Sequence, residues 1–349
     1  IDWNRRRIDR NRRRIDRNRR RIDRNRRRID RRRWHRTSDR LATELARRET
    51  TREELPVRYH VDGRLVDASE ASVSVDDRGF QYGDGVFETM RAYGGRVFAR
   101  DAHLDRLARS ADAIGLEHGL ARDDLLERVQ DTLAANDLAD AYVKLSITRG
   151  SQPGTVTPRP DVDPTVVVYA KPLPRGGLDG ERAFDGPAVL QTSKTRKPPA
   201  NALPPGAKTH NYLNSILARN ELVADADEAL LRDQAGRVAE GATSNVFWVN
   251  DDGLHTPAAD LDLLPGITRS FVLDLARERG GVPVNTGEYG LEAVRNADEC
   301  FLTNSTWEVR PVATVDGIDV GGGPVTDLLS RLFDRLVEER HYGGIDGSD

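Results

Sequence analysis

Beyond residue 56, apolar and polar positions alternate clearly enough to mark the elements of a folded body. Val57-Arg58-Tyr59-His60-Val61 alternates as a strand, and Asp62-Gly63 is a hairpin turn. Gly85 to Tyr93 reads as a longer strand closed by Gly94-Gly95, with Arg96-Val97-Phe98 returning. Leu104, Leu107, Ala111 and Ile114 recur at helical spacing behind Asp101, which the pattern places as the N-cap. A second helix is predicted over 123–135. Ala141 to Thr148 and Pro164 to Ala170, rich in Val and Ile, read as strands. Lys171-Pro172-Leu173-Pro174-Arg175-Gly176-Gly177 sustains neither helix nor sheet and marks a linker. After it come strands near 188–193, 228–232, 245–249 and 299–303. Helices are expected over about 211–223, 267–279 and 325–339. Strands and helices mix in both halves, which predicts a mixed α/β (α+β) fold of two domains with a crevice between them. The expected boundaries are an N-terminal domain over 56–171, a linker over 172–187, a C-terminal domain over 188–340 and a tail over 341–349.

The first 36 residues differ in kind. They repeat with period seven, from Ile1-Asp2-Trp3-Asn4-Arg5-Arg6-Arg7 through Ile29-Asp30. One apolar residue per heptad cannot form a coiled-coil seam, and like-charge repulsion predicts disorder. A basic arm touching nucleic acid nonspecifically is one reading. The favoured one is a low-complexity extension, translated from repeated DNA upstream of the start, and it is excluded from the fold. Residues 37–55, with Leu41 and Leu45 spaced by four, read as a short polar helix.

Charge separates these parts. Residues 1–36 hold 19 Arg and 5 Asp, whereas 37–349 hold 35 basic and 52 acidic residues, within an overall balance of −3. So acidic a body argues against nucleic-acid or anionic-membrane binding and suggests a surface suited to high salt. Hydrophobic residues at 37% and charged residues at 32% fit a globular protein. No apolar run nears the roughly 20 residues of a membrane span, so a cytoplasmic location is expected. Cys300 is the only cysteine, which excludes an internal disulfide or a multi-cysteine metal site; it reads as a buried strand residue. No metal is expected.

Three segments carry candidate chemistry. Lys208 follows a loop stiffened by Pro198, Pro199, Pro204 and Pro205 and precedes a helix; a lysine amine, unlike arginine, can form an imine. Glu240 lies among small residues before the strand Val246-Phe247-Trp248-Val249, where a carboxylate could pair with a pyridinium nitrogen. Leu264-Pro265-Gly266-Ile267-Thr268-Arg269 opens a helix whose free amides suit a phosphate. Taken singly, each has an ordinary reading: a solvated lysine, a loop glutamate in water, a common helix start.

Together they resemble the class-IV aminotransferases, the fold-type IV pyridoxal enzymes. The resemblance runs from Tyr59 to Val312 in the family's order. It includes Arg78-Gly79-Phe80-Gln81-Tyr82-Gly83-Asp84-Gly85-Val86-Phe87-Glu88-Thr89, His103-Leu104-Asp105-Arg106-Leu107, the Lys208 and Glu240 segments, Leu264 to Arg269, and Phe301 to Val309. It implies a smaller N-terminal α/β domain, a larger barrel-like C-terminal domain, a homodimer, and pyridoxal 5'-phosphate as cofactor. It also implies roles. Lys208 would be the Schiff-base lysine and proton carrier, and Glu240 the partner of the ring nitrogen. Arg106, the Ile267 and Thr268 amides and Ser305 would hold the phosphate, and Tyr212 would contact the ring oxygen. Phe87, Thr89, Lys144, Thr306 and Trp307 would line the substrate pocket.

The branch is read from departures. D-amino-acid aminotransferases place Arg and His after Thr-Arg-Gly, where this chain has Gly154 and Val156. Branched-chain aminotransferases usually carry Gly where Thr89 stands, Arg where Lys144 stands, and one more residue between the lysine and Asn-Tyr. These features are more similar to 4-amino-4-deoxychorismate lyase, which forms 4-aminobenzoate and pyruvate. Asn211-Tyr212-Leu213-Asn214-Ser215 and Leu264-Pro265-Gly266 fit a branched-chain transaminase acting on an amino acid and a 2-oxo acid, which stays as the alternative. A binding protein, with a basic arm recruiting nucleic acid to an inert domain, is the reading from another class.

Overall fold

The computed structural model describes residues 57–176 and 182–343; the basic repeat, the helix expected over 37–55 and the end of the tail lie outside them. The first sheet is built from β1 (Arg58–Val61), β2 (Arg64–Asp67), β3 (Gly85–Tyr93), β4 (Arg96–Val97), β5 (Ala141–Thr148) and β6 (Val166–Pro172), in the order β2-β1-β6-β5-β3-β4. Every pairing in it is antiparallel. Asp62 and Gly63, both at positive φ, make the predicted β1–β2 turn. A short helix, α1 (Arg78–Tyr82), leads into β3 and is capped by the Asp77 side chain.

Period-two alternation gives this sheet two unlike faces. Val86, Met90, Val143, Leu145, Ile147 and Val168 project to one side, where α2 (Arg100–Ala113) and α3 (Arg122–Ala135) cover them. The other face carries Phe87, Thr89, Lys144 and Tyr142, with Thr89 directly opposite Lys144 across β3 and β5. Asp101 does not cap α2. The cap position is Ala99, with φ of 51° and no side-chain bond, and Asp101 sits in the first turn.

The second sheet curls into a half-barrel. Its strands are β7 (Ala188–Thr192), β8 (Glu228–Arg232), β9 (Val238–Gly241), β10 (Asn245–Asn250), β11 (Gly253–Pro257), β12 (Val284–Gly287), β13 (Glu299–Asn304) and β14 (Glu308–Val315), in the order β12-β11-β10-β13-β14-β7-β8-β9. A short β15 (Ile318–Asp319) pairs with β14. The helices of this half are α4 (Leu213–Asn220), α5 (Ile267–Leu275), α6 (Leu291–Arg295) and α7 (Pro324–Val337). The central strands β10 and β13 are buried on both faces. Phe247 and Phe301 pair across them and stack at 4.9 Å toward α5 and α7. Val246, Trp248, Cys300 and Leu302 fill the opposite core. Cys300 is fully buried, and burial pushes its thiol pKa up.

The two sheets share one compact unit. Tyr93 and Phe98 leave the first sheet to pack with Phe271 and Phe333 of the second layer. The expected linker begins later than its composition indicates, because Lys171 and Pro172 still pair with Tyr142 and Ala141 at the end of β6. Among the described residues no helix is long and apolar enough to cross a membrane.

Candidate active site

A cavity of about 470 Å³ opens between the sheets, and the candidate residues Arg106, Lys208, Tyr212, Glu240, Ile267, Thr268 and Ser305 all line it. Phe87, Thr89, Thr306 and Trp307 line it too. Lys144 does not; its ammonium stands 4.4 Å from the centre of the Phe87 ring, beside the cavity. Tyr142 and Lys197 are wall residues outside the motifs, and Asn245 and Thr303 lie within motifs that gave them no role.

Lys208 is fixed by main-chain bonds to the first sheet. Phe87 N–H donates to Lys208 O at 2.9 Å, His210 N–H donates to Gly85 O at 2.9 Å, and Lys208 N–H donates to Ser110 Oγ at 2.9 Å. Residue 208 thereby follows the opening of β3 before the chain turns into α4. The Lys208 Nζ lies 2.9 Å from Tyr212 Oη and 4.5 Å from the Phe87 ring centre. Its one hydrogen-bond partner among the described residues is that phenol.

Lys197 is the other amine of the cavity, and its situation is opposite. Its Nζ donates to Glu240 Oε1 at 2.6 Å, and Leu264 N–H donates to Glu240 Oε2 at 3.0 Å. Burial alone would lower the Lys197 pKa, but the adjoining Glu240 charge outweighs it and the net direction is up. An ammonium locked to a carboxylate is a poor nucleophile, whereas Lys208 faces only a phenol. Of the two amines, Lys208 is the one placed to react.

Anion-binding groups converge beside α5. Gly266 precedes its first turn, whose free amides belong to Ile267 and Thr268. A Cβ at Gly266 would collide with Asn245 Oδ1, so glycine permits the close approach of β10 to this turn. Arg106 Nη1 donates to Pro265 O at 3.2 Å, which sets its guanidinium against the same turn. Behind it, the fully buried Glu88 accepts from Arg106 Nε at 2.8 Å, Arg106 Nη2 at 2.6 Å and His103 Nδ1 at 2.7 Å. Three of the five guanidinium N–H groups are thus spent on holding Arg106, and two remain for a ligand. The Thr303 hydroxyl, also in the wall, is buried with no partner among the described residues.

The Ser305–Trp307 loop is shaped by Asn304, whose Oδ1 accepts from the amides of Thr306 at 3.0 Å and Trp307 at 2.7 Å. Arg91, almost fully buried, donates to Thr306 O at 2.8 Å and pairs with Glu308 at 3.0 Å.

The family model for amino-transferase class IV matches residues 85–315, which span β3 through β14. The chain belongs to the class-IV aminotransferases. Class-IV members are pyridoxal-phosphate-dependent transaminases and lyases, and this chain is an enzyme of that group. A putative branched-chain-amino-acid aminotransferase of Methanocaldococcus jannaschii is 38% identical over 83% of this chain and 98% of its own length. The aminodeoxychorismate lyase of Bacillus subtilis is 34% identical over 80% and 94%. A D-alanine aminotransferase of Staphylococcus haemolyticus is 32% identical over 80% and 98%. Among solved structures, a branched-chain aminotransferase of Thermoproteus uzoniensis with norvaline superposes with a TM-score of 0.76 at 30% identity, covering 83% of this chain and 97% of that one. The pyridoxal-phosphate form of a branched-chain aminotransferase from Thermobaculum terrenum gives 0.73 at 28%, covering 83% and 96%.

The class-IV cofactor fits the donors present. A phosphate needs cationic and neutral donors, and Arg106, the α5 amides, Ser305 and the unpartnered Thr303 hydroxyl supply both kinds. A pyridine nitrogen needs an anion, and Glu240 is in the same cavity. An aldehyde needs an amine outside an ion pair, and the Lys208 Nζ has only the Tyr212 hydroxyl as a hydrogen-bond partner among the described residues.

Proposed function

We propose that this class-IV enzyme binds pyridoxal 5'-phosphate at Lys208 and acts as a 4-amino-4-deoxychorismate lyase, releasing 4-aminobenzoate and pyruvate. When bound, the cofactor supplies a carbonyl for an amine to join and a ring that accepts electron density. The protein does the rest. Lys208 Nζ takes the proton from the carbon bearing the substrate amine, and the Tyr212 hydroxyl orients that Nζ. Glu240 holds the ring nitrogen. Arg106, the Ile267 and Thr268 amides and Ser305 grip the phosphate.

The observation that carries the lyase reading is the wall formed by the first sheet. Phe87, Thr89 and Tyr142 face the cavity, and Lys144 stands opposite Thr89 against the Phe87 ring. This wall is aromatic and polar, with a cation close behind it. A branched aliphatic side chain would gain apolar contact with the two rings but would leave the nearby cation without a counter-charge. A ring bearing two carboxylates finds both a stacking surface and a counter-charge. Burial and the Lys208 charge lower the Lys144 pKa, so an incoming carboxylate would restore its ordinary proton affinity. Thr306 and Trp307 close the opposite side.

The branched-chain transaminase reading keeps specific supports: the 38% identity to the Methanocaldococcus jannaschii relative, the superposition on branched-chain aminotransferases at TM-scores of 0.76 and 0.73, and the Asn211–Ser215 and Leu264–Gly266 motifs. Gly154 and Val156 offer no cation for a D-amino acid carboxylate, and Val156 is 74% exposed. A homodimer is proposed as well. Leu213, Ile216 and Leu217 of α4, with Val223 and Phe80, leave large apolar side chains exposed. Light scattering on the purified protein tests that state.

The deciding assay supplies aminodeoxychorismate to the cofactor-loaded protein and follows 4-aminobenzoate. Release with no amine left on the cofactor supports the lyase. Stoichiometric transfer of leucine's amine to the cofactor, without an acceptor, assigns a transaminase instead. Protein that stays colourless with added pyridoxal phosphate, with nothing fixed at Lys208 by borohydride, removes the enzyme reading altogether.

A further inference from the structure

Lys197, the buried partner of Glu240, has no part in the chemistry above. Glu240 Oε1 lies 2.6 Å from Lys197 Nζ, with 16% of the lysine side chain and 9% of the glutamate side chain exposed. Three hydrogen bonds hold this lysine and the residue before it. Its N–H donates to Arg232 O at 2.9 Å at the end of β8, its carbonyl accepts from Gln234 Nε2 at 2.6 Å, and the preceding Arg196 O accepts from Asn214 Nδ2 of α4 at 2.8 Å.

Ionic pairing of buried groups is a poor way to gain stability, since desolvation consumes most of the attraction. A pair built this firmly inside a cofactor cavity calls for another use. A carboxylate offers about four lone-pair directions. Lys197 takes one on Oε1 and the Leu264 amide takes one on Oε2, which fixes the plane of the group and leaves its remaining directions defined.

We propose that Lys197 is a positioning residue that orients Glu240 and offsets its charge, thereby setting how tightly the cofactor ring nitrogen holds its proton. The proposal rests on the reading of Glu240 as the partner of that nitrogen. An unpaired Glu240 would raise the proton affinity of every nearby base. With Lys197 in place the Glu240 charge is met by an ammonium, and the ring nitrogen faces a balanced pair.

The test uses the full chain and pyridoxal phosphate itself. Wild type, Lys197→Met, Lys197→Gln and Lys197→Arg are compared by the pH midpoint of the visible absorption band and by cofactor affinity from fluorescence quenching. Apoprotein melting is recorded in parallel. Expected for Met and Gln are retained colour, fixable at Lys208, a midpoint raised by about one pH unit and a dissociation constant raised about tenfold. Lys197→Arg, which keeps the charge, should return both values to near wild type. If Met does not fold, Gln, which keeps polarity and most of the length, carries the comparison. Unchanged midpoint and affinity in the neutral variants overturn the proposal. So does an Arg variant that behaves like Met, which would mean packing rather than charge. Colourless wild type would instead fail the underlying assignment of the site, a separable result.

Discussion

Replacing Glu88 with Gln asks whether a buried carboxylate prepositions the arginine assigned to the phosphate. Glu88 is fully buried and accepts three hydrogen bonds, two from Arg106 and one from His103. Burial pushes its carboxyl up, but the Arg106 charge and bonds, followed by His103, outweigh that and bring the pKa from 4.5 down to about 2. At about 1.36 kcal/mol per pH unit, that drop corresponds to roughly 3 kcal/mol. Stripping one partner from a buried ion pair costs about 3–5 kcal/mol by mutational precedent. Glutamine keeps the volume and one acceptor, so the lower end, about 3 kcal/mol, is expected at pH 7. A depressed carboxylate pKa gives stability that is fully present above pH 4.5 and is lost as pH falls toward 2. The gap between wild type and variant should therefore narrow on acidification. Urea unfolding followed by tryptophan fluorescence at pH 7 and pH 3 measures it, with the pH 7 midpoint falling by about 1 M. An unchanged midpoint at pH 7, or a gap that stays constant to pH 3, would refute the reasoning.

Arg91→Ala removes the bonds to Thr306 O and Glu308 and should loosen the Ser305–Trp307 loop. Steady-state kinetics should show substrate KM up about tenfold, with a smaller loss of cofactor affinity by titration, since Ser305 is one of several phosphate donors; a cofactor loss as large as the substrate loss would contradict the assignment. Asp334 is a carboxyl that burial pushes up to about 6, with the Arg182 charge opposing. A raised carboxyl pKa favours the fold below its ordinary value of 3.8 and disfavours it as pH rises through 6. Asp334→Asn should then melt higher than wild type at pH 8, by about 1–2 kcal/mol equivalent after loss of the Arg182 bond, and match it at pH 5. A variant that melts lower at both pH values would count against it.

Much of the fold is readable because its central strands are buried on both faces or alternate cleanly. Gly85–Tyr93, Glu228–Arg232 and Asn245–Asn250 fall where periodicity places them. The strand Glu308–Val315 does not show in the pattern, since Arg310 and Pro311 interrupt its apolar run although it lies mid-sheet. Gly253–Pro257 and Val284–Gly287 are short and polar, and their periodicity is equally silent. Motif order brings Lys208, Glu240, Arg106 and the α5 turn into view. Tyr142 could be found by register, because it shares a face with Lys144 two residues on. Lys197 could not: its partner Glu240 is 43 positions away, and only the curl of the sheet joins them.

The lacing of residues 208–210 to Gly85 and Phe87 bears on how this protein could be recombined with its relatives. A chimaera with its crossover in the segment between β6 and β7 would inherit the reactive amine from one parent and the strand that anchors it from the other. Parents that differ in backbone path at either place would yield a misaligned nucleophile with every motif intact. Exchanging residues 85–87 and 208–210 as a matched set avoids that mismatch.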